Sequence, residues 1–383
     1  MKTVIKSDKI ILKDKILNGY LALDGEGISY VGEEKVEGDV FYDYTGKFVS
    51  PGFIETHTHG AGGFPFIDCT EDDVINACNY ELGYGVTSIC PTVTSGPISV
   101  MEDAVLKISK AKKNAKTKPN IIGAHLEGPY FSLNQSGAQS PNDITAPIKE
   151  DYERIIKKFG KDIARWSYAP ERDENAEFCK YLVKNGIVAS AGHTDALGVD
   201  MELARENGCK LITHLYSCTS TITRDKGFRR LGVIETAYLN DDIYVEIITD
   251  GKHLPPDLLK LILKIKGTDK VILTTDSLKI AGTDAKEGGV MSGVEYIVEE
   301  GVCRLKDRSA FAGSIATADR LIRVITKEAG ASIVDGVKML TYNPAKIFNL
   351  NTGEIKVGKD GDIIVFDDDI NVLDVFVKGN KVK

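Results

Sequence analysis

Eight short apolar runs rich in β-branched residues recur through the middle of the chain, and segments with helical spacing lie between them. The runs are FIETHTH (53–59), VTSICPT (86–92), IIGAHLEG (121–128), RWSYAPE (165–171), IVASAGHT (187–194), LITHLYS (211–217), VEIITDG (245–251) and VILTTDS (271–277). Intervening segments such as YERIIKKFG and PPDLLKLILKIKG end with glycine after a turn that carries lysine, as helix C-termini prefer. Strand followed by helix, repeated eight times, predicts an α/β fold, the (β/α)8 barrel of the TIM type.

An open, doubly wound parallel sheet is the alternative topology for alternating strands and helices. Its dinucleotide-binding form carries G-x-G-x-x-G after the first strand. No such motif follows the first apolar run of this chain, so the sequence favours the closed barrel.

The two ends of the chain share a different pattern, in which apolar and polar residues alternate in short runs separated by glycine and acidic turns. Residues 1–50 contain GYLALDG and GISYVGE, and residues 349–383 contain GDIIVFDD and VLDVFVKGN. Such alternation is typical of half-buried antiparallel strands. We therefore expect one small β-sandwich domain formed by residues 1–50 and 349–383, and a barrel domain over residues 51–348.

The overall composition excludes several classes of partner. The net charge of −8 argues against nucleic acid or an anionic membrane surface. The seven cysteines are scattered and never spaced C-x-x-C, which is typical of reduced thiols in an intracellular protein. No segment approaches the roughly 20 apolar residues of a spanning helix, and the N-terminus lacks the apolar stretch of a signal peptide. We expect a cytoplasmic protein that binds neither nucleic acid nor membranes.

Polar residues end the apolar runs, and in a barrel all of these ends open on one face. His57 and His59 end the first run two positions apart, so on a strand they share a face. The later runs end with Glu127, His193, His214, Asp250 with nearby His253, and Asp276. Five of the six histidines thus lie at or just past strand ends, a grouping that chance explains poorly.

This set of side chains indicates a metal site. Imidazole together with carboxylate suits Zn²⁺ or Fe²⁺, whereas Ca²⁺ and Mg²⁺ sites consist mainly of oxygen ligands. The pattern therefore predicts a hydrolase that uses a divalent transition metal. A nearby carboxylate is needed to move protons, and Asp276 is the natural candidate. We interpret His125 and Glu171 as supporting residues rather than ligands.

Several motifs follow one another in a fixed order: PGFIETHTHG (51–60), HLEGPY (125–130), AGHTDA (191–196), THLY (213–216), TDGKH (249–253), TTDS (274–277), NPAKIF (343–348) and GKDGDIIVFD (358–367). In this order they resemble the N-acetylglucosamine-6-phosphate deacetylases of the amidohydrolase superfamily, along nearly the whole chain. HLEGP with a later GHTDA is specific, whereas H-x-H alone occurs in many amidohydrolases. The resemblance implies that the substrate is a small amino-sugar phosphate, whose N-acetyl amide is hydrolysed to acetate and the free amine.

The resemblance also implies roles for individual residues. Glu127, His193 and His214 match the family's main metal ligands, and the pair formed by His57 and His59 holds a second metal in some members. One or two ions of Zn²⁺ or Fe²⁺ are therefore expected, with Glu127 bridging them when both are present. Asp276 matches the catalytic acid and base, which takes a proton from the attacking water and gives it to the departing amine, and we count it among the ligands.

Positions that contact the substrate follow from the same resemblance. His253 matches a substrate-contacting histidine, and Gln139 matches a position near the sugar that holds histidine in some members and glutamine in others. Family members are usually homodimers, in which an arginine of the neighbouring subunit reaches the phosphate. We expect a homodimer here.

The segment after the sixth run departs from the family pattern. The family has HLYNAM there and this chain has HLYSCT (214–219), so Ser217 and Cys218 stand where groups that hold the phosphate are usual. The next loop is a few residues longer than usual. Its Arg229 and Arg230 are the candidates for phosphate contact, because guanidinium groups suit phosphate oxygens.

The altered segment leaves alternatives open. The substrate is N-acetylglucosamine 6-phosphate, N-acetylgalactosamine 6-phosphate or another N-acyl compound. A cyclic-amide hydrolase of the dihydroorotase or hydantoinase kind is a second reading, but those enzymes bridge two metals with a carboxylated lysine, and no suitably placed lysine occurs here. A non-catalytic sugar-phosphate sensor or scaffold is a third, against which the retention of every ligand and of Asp276 argues.

Overall fold

The structure is a computed structural model that describes residues 1–383. Its largest sheet contains eight consecutive parallel strands, here called barrel strands 1 to 8. They are Phe53–Thr58, Val86–Val93, Ala124–Glu127, Ile163–Tyr168, Val188–Ala191, Leu211–Ile212, Tyr244–Ile248 and Val271–Thr274, with a short strand, Asn120–Ile121, preceding barrel strand 3. Each predicted apolar run overlaps one of these strands, so the predicted barrel is confirmed.

Parallel pairing runs from barrel strand 1 round to barrel strand 8, and backbone hydrogen bonds then link the last strand to the first. The N–H of Asp276 donates to the carbonyl of His57 at 2.9 Å, and the N–H of His59 donates to the carbonyl of Ser277 at 2.7 Å. These bonds join the C-terminal ends of barrel strands 1 and 8. All eight strand ends therefore meet at one rim.

Ten α-helices pack around and beyond the barrel strands. They are α1 Glu71–Glu81, α2 Ile98–Lys113, α3 Lys149–Phe159, α4 Glu177–Lys184, α5 Gly198–Glu206, α6 Val233–Leu239, α7 Pro256–Lys266, α8 Ala318–Arg323, α9 Ile333–Leu340 and α10 Tyr342–Ile347, with a π-helical segment, Val324–Glu328, after α8. Local sequence sets their ends. Thr70 caps α1 in a reciprocal capping box with Asp73, and Ser332 caps α9. No helix combines the length and the apolar character that crossing a membrane requires.

The predicted β domain from both chain ends is confirmed. Its strands hydrogen-bond into one sheet made of Lys2–Ile11, Ile16–Asp24, Gly27–Gly32, Val40–Asp43, Phe48–Pro51, Ile363–Phe366, Val372–Val377 and Asn380–Lys381. The two ends of the chain join where Phe48–Pro51 pairs antiparallel with Ile363–Phe366. Eleven buried apolar residues form a core of its own, separate from the barrel core. The domain boundaries at residues 50 and 349 stay predictions.

A four-stranded antiparallel sheet follows barrel strand 8, and we call residues 289–313 the β insert. Its strands are Gly289–Met291, Val294–Glu299, Val302–Leu305 and Phe311–Gly313. The sequence analysis assigned closing helices after barrel strand 8 but did not predict this sheet. Tyr296 and Cys303 of the β insert pack on Leu278, just beyond barrel strand 8, so the β insert covers part of the rim.

A buried ion pair crosses the inside of the barrel. Arg165 of barrel strand 4 and Glu246 of barrel strand 7 are both fully buried, and Arg165 donates through both terminal nitrogens to the Glu246 carboxylate. Thr56 donates to the same carboxylate at 2.9 Å, and Nδ1 of His57 lies 3.1 Å from it. Burial raises the pKa of Glu246, but Arg165 and His57 outweigh it and hold the pKa well below its usual range. The carboxylate is therefore ionised and holds the His57 ring.

We expect Glu246→Gln to reduce the free energy of unfolding by about 3–5 kcal/mol, because it leaves the Arg165 charge buried without a counterion. Folding lowers the Glu246 pKa, so ionised Glu246 adds to the free energy of unfolding above its ordinary pKa of about 4.3. This contribution is lost as the pH falls through the lower pKa of the folded state. Urea unfolding at pH 7 measures the change. Glu295→Gln, which breaks an ion pair with Lys306 on the exposed face of the β insert, is the control and should leave stability nearly unchanged, because water screens an exposed pair. Equal effects of the two substitutions would contradict the role of Glu246.

Candidate metal centre

Glu127, the last residue of barrel strand 3, lies at the centre of the rim. Its Oε1 is 3.2 Å from Nε2 of His57, 3.2 Å from Nε2 of His214 and 3.4 Å from Nε2 of His193. Its Oε2 is 3.3 Å from Nε2 of His59. One carboxylate therefore contacts four imidazole rings that come from barrel strands 1, 5 and 6.

Asp276 approaches the same centre from the end of barrel strand 8. Its Oδ1 is 3.4 Å from Nε2 of His57 and 3.3 Å from Nε2 of His59. The ligand atoms divide into two groups, each within 4.8 Å: His57, His59 and Asp276 form one, and Glu127, His193 and His214 the other. The structure thus brings together all six residues that the sequence analysis proposed as ligands.

Left-handed backbone conformations place three of these side chains. His193, His214 and Asp276 have φ angles of +52°, +30° and +46°. Such angles cost about 1–3 kcal/mol in residues other than glycine, and they persist where the surrounding structure enforces them. Each residue lies two positions past the end of a barrel strand, so the turn directs its ring or carboxylate toward the barrel axis.

The charges of the centre shift the pKa values in opposite directions. Burial lowers the pKa of His57, but the carboxylates of Glu127 and Asp276 outweigh it and raise the pKa to about 10. Burial raises the pKa of Glu127, but His57, His193 and His214 outweigh it and hold the pKa well below its usual range. The same balance, through His57 and His59, lowers the pKa of Asp276. Two ionised carboxylates therefore attract positive charge to the centre.

Hydrogen bonds hold the far side of two histidine rings. Nδ1 of His57 lies 3.1 Å from the ionised Glu246, and Nδ1 of His193 lies 2.7 Å from the carbonyl of Gln135, so both Nδ1 atoms act as donors. The Nε2 atoms are then directed to Glu127 and its neighbours. Acceptors on the far ring nitrogen are the usual means by which proteins orient metal-binding histidines.

The residues fit a divalent metal. Nε2 of His57 is buried between two carboxylates, 3.2 Å from Glu127 and 3.4 Å from Asp276. A tetrahedral ion with ligands at about 2.0–2.1 Å places its ligand atoms about 3.3 Å apart. The contacts of Glu127 with His193 and His214, and the contact between those two Nε2 atoms, are 3.2–3.4 Å. The spacing of these ligand atoms therefore matches that around a bound cation.

The main pocket opens above the centre and has a volume of about 260 Å³. Of the residues predicted to contact substrate, Gln139, Ser217, Cys218 and His253 line it. Gln139 donates from Nε2 to Oε2 of Glu127 at 2.8 Å, while its Oε1 accepts from the Thr94 hydroxyl and the Ser95 N–H. These bonds fix the orientation of the Gln139 amide in the part of the pocket where the sugar is predicted to bind.

His253 lies at the pocket wall with its ring against Phe311 of the β insert. Its Nδ1 is 2.9 Å from the carboxylate of Asp250, which also accepts backbone N–H groups from Lys252 and His253. Burial raises the pKa of Asp250, but His253 and these N–H groups outweigh it and lower the pKa. The Asp250 carboxylate therefore positions the His253 ring.

Arg229 and Arg230 do not reach the main pocket within this chain. They lie on an exposed two-stranded hairpin, Thr223–Asp225 paired with Phe228–Arg230, where Arg230 contacts Asp225 at 3.2 Å. The sequence analysis placed them in the substrate site, and that assignment stays a prediction.

Several pocket residues were not identified from the sequence. Met291 and residues 310–313 of the β insert line the main pocket, as does Tyr216. The alternating pattern of GVEYIVEEGVCRL, residues 293–305, was the available signal for the β insert. No local feature of the sequence predicts that the β insert lines the pocket, because this depends on how the sheet folds back over the rim.

The two residues interpreted as supporting lie outside the candidate ligand groups. His125 is fully buried, with Nδ1 3.1 Å from the Thr92 hydroxyl and Nε2 2.7 Å from the Ser167 hydroxyl. Glu171 accepts the hydroxyl of Thr194 and the N–H of Asp195, the two residues that follow His193. Neither belongs to a group of candidate ligand atoms.

Residues 48–382 match the model of the Amidohydrolase family, and the chain belongs to that family. It is 28% identical over 386 residues to the N-acetylglucosamine-6-phosphate deacetylase of Bacillus subtilis (strain 168), covering 98% of this chain and 96% of that protein. It is 29% identical over 340 residues to the N-acetylgalactosamine-6-phosphate deacetylase of Shewanella sp. (strain ANA-3), covering 88% and 84%.

Solved structures show the same architecture. The N-acetylglucosamine-6-phosphate deacetylase of Pasteurella multocida superposes with a TM-score of 0.92 at 28% identity, covering 100% of this chain and 99% of that one. The enzyme of that name from Mycobacterium smegmatis, as a mutant in complex with N-acetyl-D-glucosamine-6-phosphate, also has a TM-score of 0.92, at 25% identity and with the same coverage. The similarity thus spans both the barrel and the terminal domain.

We expect metal binding to release protons. Because the pKa of His57 is about 10 in the metal-free protein, its ring carries a proton at pH 7 that a metal must displace. Affinity for Zn²⁺ should therefore rise with pH from 6 to 9. A Zn²⁺ titration in weak buffer with a pH indicator measures the protons released.

The His57→Asn variant should release about one proton fewer than the unaltered protein. His125→Gln is the matched control, because burial, Arg165 and His57 hold the pKa of His125 well below its usual value and the ring is neutral. Identical proton release from the His57 variant and the unaltered protein would contradict this charge assignment.

Proposed function

We propose that this protein is a metal-dependent deacetylase that hydrolyses the N-acetyl amide of an amino-sugar 6-phosphate, with N-acetylglucosamine 6-phosphate as the first candidate substrate. The observation that carries the proposal is the contact of Glu127 with four imidazoles, beside Asp276, at the floor of one pocket. Relatives that carry this activity in their names cover nearly the whole chain, which supports the choice of substrate.

The metal would be Zn²⁺ or Fe²⁺, held as one or two ions. Glu127, His193 and His214 would hold one ion, and His57, His59 and Asp276 would hold the other, with Glu127 close to both groups. A bound metal of this kind polarises an amide carbonyl and makes hydroxide available from water near neutral pH.

Asp276 is the residue that would move protons. Its pKa is lowered by His57 and His59 in spite of burial, so its carboxylate is ionised at neutral pH and ready to accept a proton. The side chain is 15% exposed, more than any other carboxylate or imidazole of the centre, and it lines the main pocket. It would take a proton from the attacking water and return it to the amine as the carbon–nitrogen bond breaks.

His253 and Gln139 would orient the sugar. Since Nδ1 of His253 is held by Asp250, its Nε2 is the ring nitrogen that remains for contact with the sugar. Gln139 is held by Thr94 and Ser95, so its amide group is fixed next to Glu127. Both side chains would distinguish sugar hydroxyl positions, which makes them candidates for epimer selection.

The phosphate would bind beyond Ser217 and Cys218, with Arg229 or Arg230 supplied by a second copy of the chain. Around the hairpin that carries Arg229 and Arg230, the side chains of Phe228, Leu239 and Val199 are 72%, 72% and 74% exposed. Such a cluster of exposed apolar side chains is typical of an interaction surface. It supports a homodimer in which the hairpin that carries Arg229 and Arg230 reaches the main pocket of the partner subunit.

N-acetylgalactosamine 6-phosphate is the second candidate substrate. The Shewanella deacetylase named for that sugar is as similar to this chain as the enzymes named for the glucosamine form. A cyclic-amide hydrolase with a carboxylated lysine receives no support, because no lysine lines the main pocket. The seven cysteines are free thiols, which supports a reducing, cytoplasmic location.

Acetate release from phosphorylated N-acetyl hexosamines tests the proposed reaction. The metal-loaded protein should release acetate from N-acetylglucosamine 6-phosphate or its galactosamine epimer. Asp276→Asn should retain most of the metal and lower kcat by about 10²–10⁴-fold, because the proton carrier is removed. Acetate assay and metal analysis of the same samples measure both effects.

Asp284→Asn, an exposed aspartate shortly after barrel strand 8, is the matched control and should leave kcat unchanged. Metal-loaded protein that hydrolyses no member of the substrate panel would favour the sensor alternative. A near-normal kcat for Asp276→Asn would refute the role given to Asp276.

Replacing either Arg229 or Arg230 with alanine tests the phosphate site. One of the two substitutions should raise KM for the phosphorylated substrate by about tenfold or more, since a charge-assisted hydrogen bond is lost, and should leave KM for the unphosphorylated sugar unchanged. Steady-state kinetics on the two substrates gives the comparison, with Arg308→Ala on the β insert as control. Equal effects on both substrates would contradict a contact between either arginine and the substrate phosphate.

A further inference from the structure

The first and last strands of the barrel meet at a seam that no continuous ladder closes. Hydrogen-bonded ladders join barrel strand 1 to barrel strand 2 and so on to barrel strand 8, but barrel strand 1 and the end of barrel strand 8 share only one isolated bridge, between Thr58 and Ser277. Side chains add to the bonding there, since the hydroxyls of Thr58 and Ser277 lie 2.8 Å apart. The seam matters for the reaction because His57 lies on one side of it and Asp276 on the other.

Glu55 of barrel strand 1 is fully buried at this seam. Its Oε1 accepts the backbone N–H of His57 at 2.9 Å and also accepts the hydroxyl of Thr274. Its Oε2 accepts the backbone N–H of Thr275 at 3.1 Å. One carboxyl group is therefore bonded both to the strand that carries His57 and to the two residues that precede Asp276.

Asp276 depends on such bonds because its backbone is strained. Its φ of +46° lies in the left-handed region, which costs about 1–3 kcal/mol in a residue other than glycine. The N–H of Asp276 donates to the carbonyl of His57, and the carbonyl of Asp276 accepts the N–H of Ser314 at 2.8 Å. Glu55 fixes the preceding peptide through the N–H of Thr275. A misplacement of about 1 Å at a reacting group can lower a rate by about 100-fold, so this hold bears on catalysis.

We propose that Glu55 is a positioning residue that fixes the Asp276 carboxylate relative to the His57 ring by holding both sides of the seam. The inference rests on the proposed function, in which Asp276 moves the proton. Glu55 does not line the main pocket, so it acts on the reaction only through the residues that it holds. Its role differs from that of Glu246, which contacts Nδ1 of the His57 ring.

Glu55→Gln tests this role, because it keeps the shape of the side chain and replaces one acceptor oxygen with a donor NH₂ group. In either orientation of the amide, that group faces the backbone N–H of His57 or of Thr275, and one hydrogen bond is lost. Burial raises the pKa of Glu55 to about 7, so assays at about pH 8.5 compare the amide with an ionised carboxylate. We expect kcat to fall by about 10–100-fold, with KM changed by less than about twofold and the metal content unchanged.

A double variant separates positioning from a general loss of structure. If Glu55 acts through Asp276, then adding Glu55→Gln to Asp276→Asn should leave kcat within about threefold of the value for Asp276→Asn alone. A merely structural role would instead multiply the two losses in kcat, and that result would overturn the proposal.

Two further single variants complete the comparison. Glu81→Gln is the matched control, because Glu81 is also fully buried but neither of its carboxyl oxygens has a hydrogen-bond partner, and it should leave kcat unchanged. Thr274→Val removes one donor to Glu55 and leaves the carboxyl group in place. It should lower kcat by about threefold without changing KM, and it keeps the proposal testable if Glu55→Gln does not fold.

Hydrogen–deuterium exchange of the metal-loaded protein gives a readout that needs no turnover. In Glu55→Gln the backbone N–H groups of residues 57–59 and 274–277 should exchange about tenfold faster than in the unaltered protein, and Glu81→Gln should leave them unchanged. Unchanged exchange at these residues, or a normal kcat of Glu55→Gln in an otherwise active protein, would overturn the proposal. Faster exchange in a protein that hydrolyses no sugar phosphate would support the hold across the seam and refute the proposed function alone.

Discussion

The structure depends on one carboxylate held among four imidazoles. Glu127 reaches His57, His59, His193 and His214 at 3.2–3.4 Å, and these residues are distant from one another in the chain. Only a closed barrel brings the ends of barrel strands 1, 3, 5 and 6 to one point. The pKa shifts, the pocket above the rim and the position of Asp276 all follow from that convergence.

The centre lowers the stability of the fold through strained backbone and buried charge, and interactions within the barrel offset this loss. Three rim residues adopt left-handed backbone conformations, and several charged groups are buried. The pair of Arg165 and Glu246 lies beneath the rim and holds the ring of His57 by hydrogen bonding and charge. A rigid layer of buried side chains therefore keeps the ligand atoms close before any metal arrives.

Local sequence pattern predicted the barrel well, because buried parallel strands are recognisable as short β-branched runs and their polar ends identify the rim. The same reasoning placed all six proposed ligands at the rim, whereas their selection as ligands came from the family resemblance. It failed for the β insert, whose alternating segment was not recognised as strands, and it could not place Arg229, because the direction of an exposed hairpin depends on contacts beyond the local segment. Arg165 and Glu246 also lacked a signal, since charged residues within a strand usually indicate an exposed face.

Anomalous X-ray diffraction from crystals of the protein as purified, recorded at the zinc and iron absorption edges, tests the account most directly. We predict a peak at about 2.0–2.2 Å from an oxygen of Glu127 and from Nε2 atoms of the surrounding histidines. Metal-replete crystals with no peak within bonding distance of Glu127, or with the ion bound only elsewhere, would contradict the central claim.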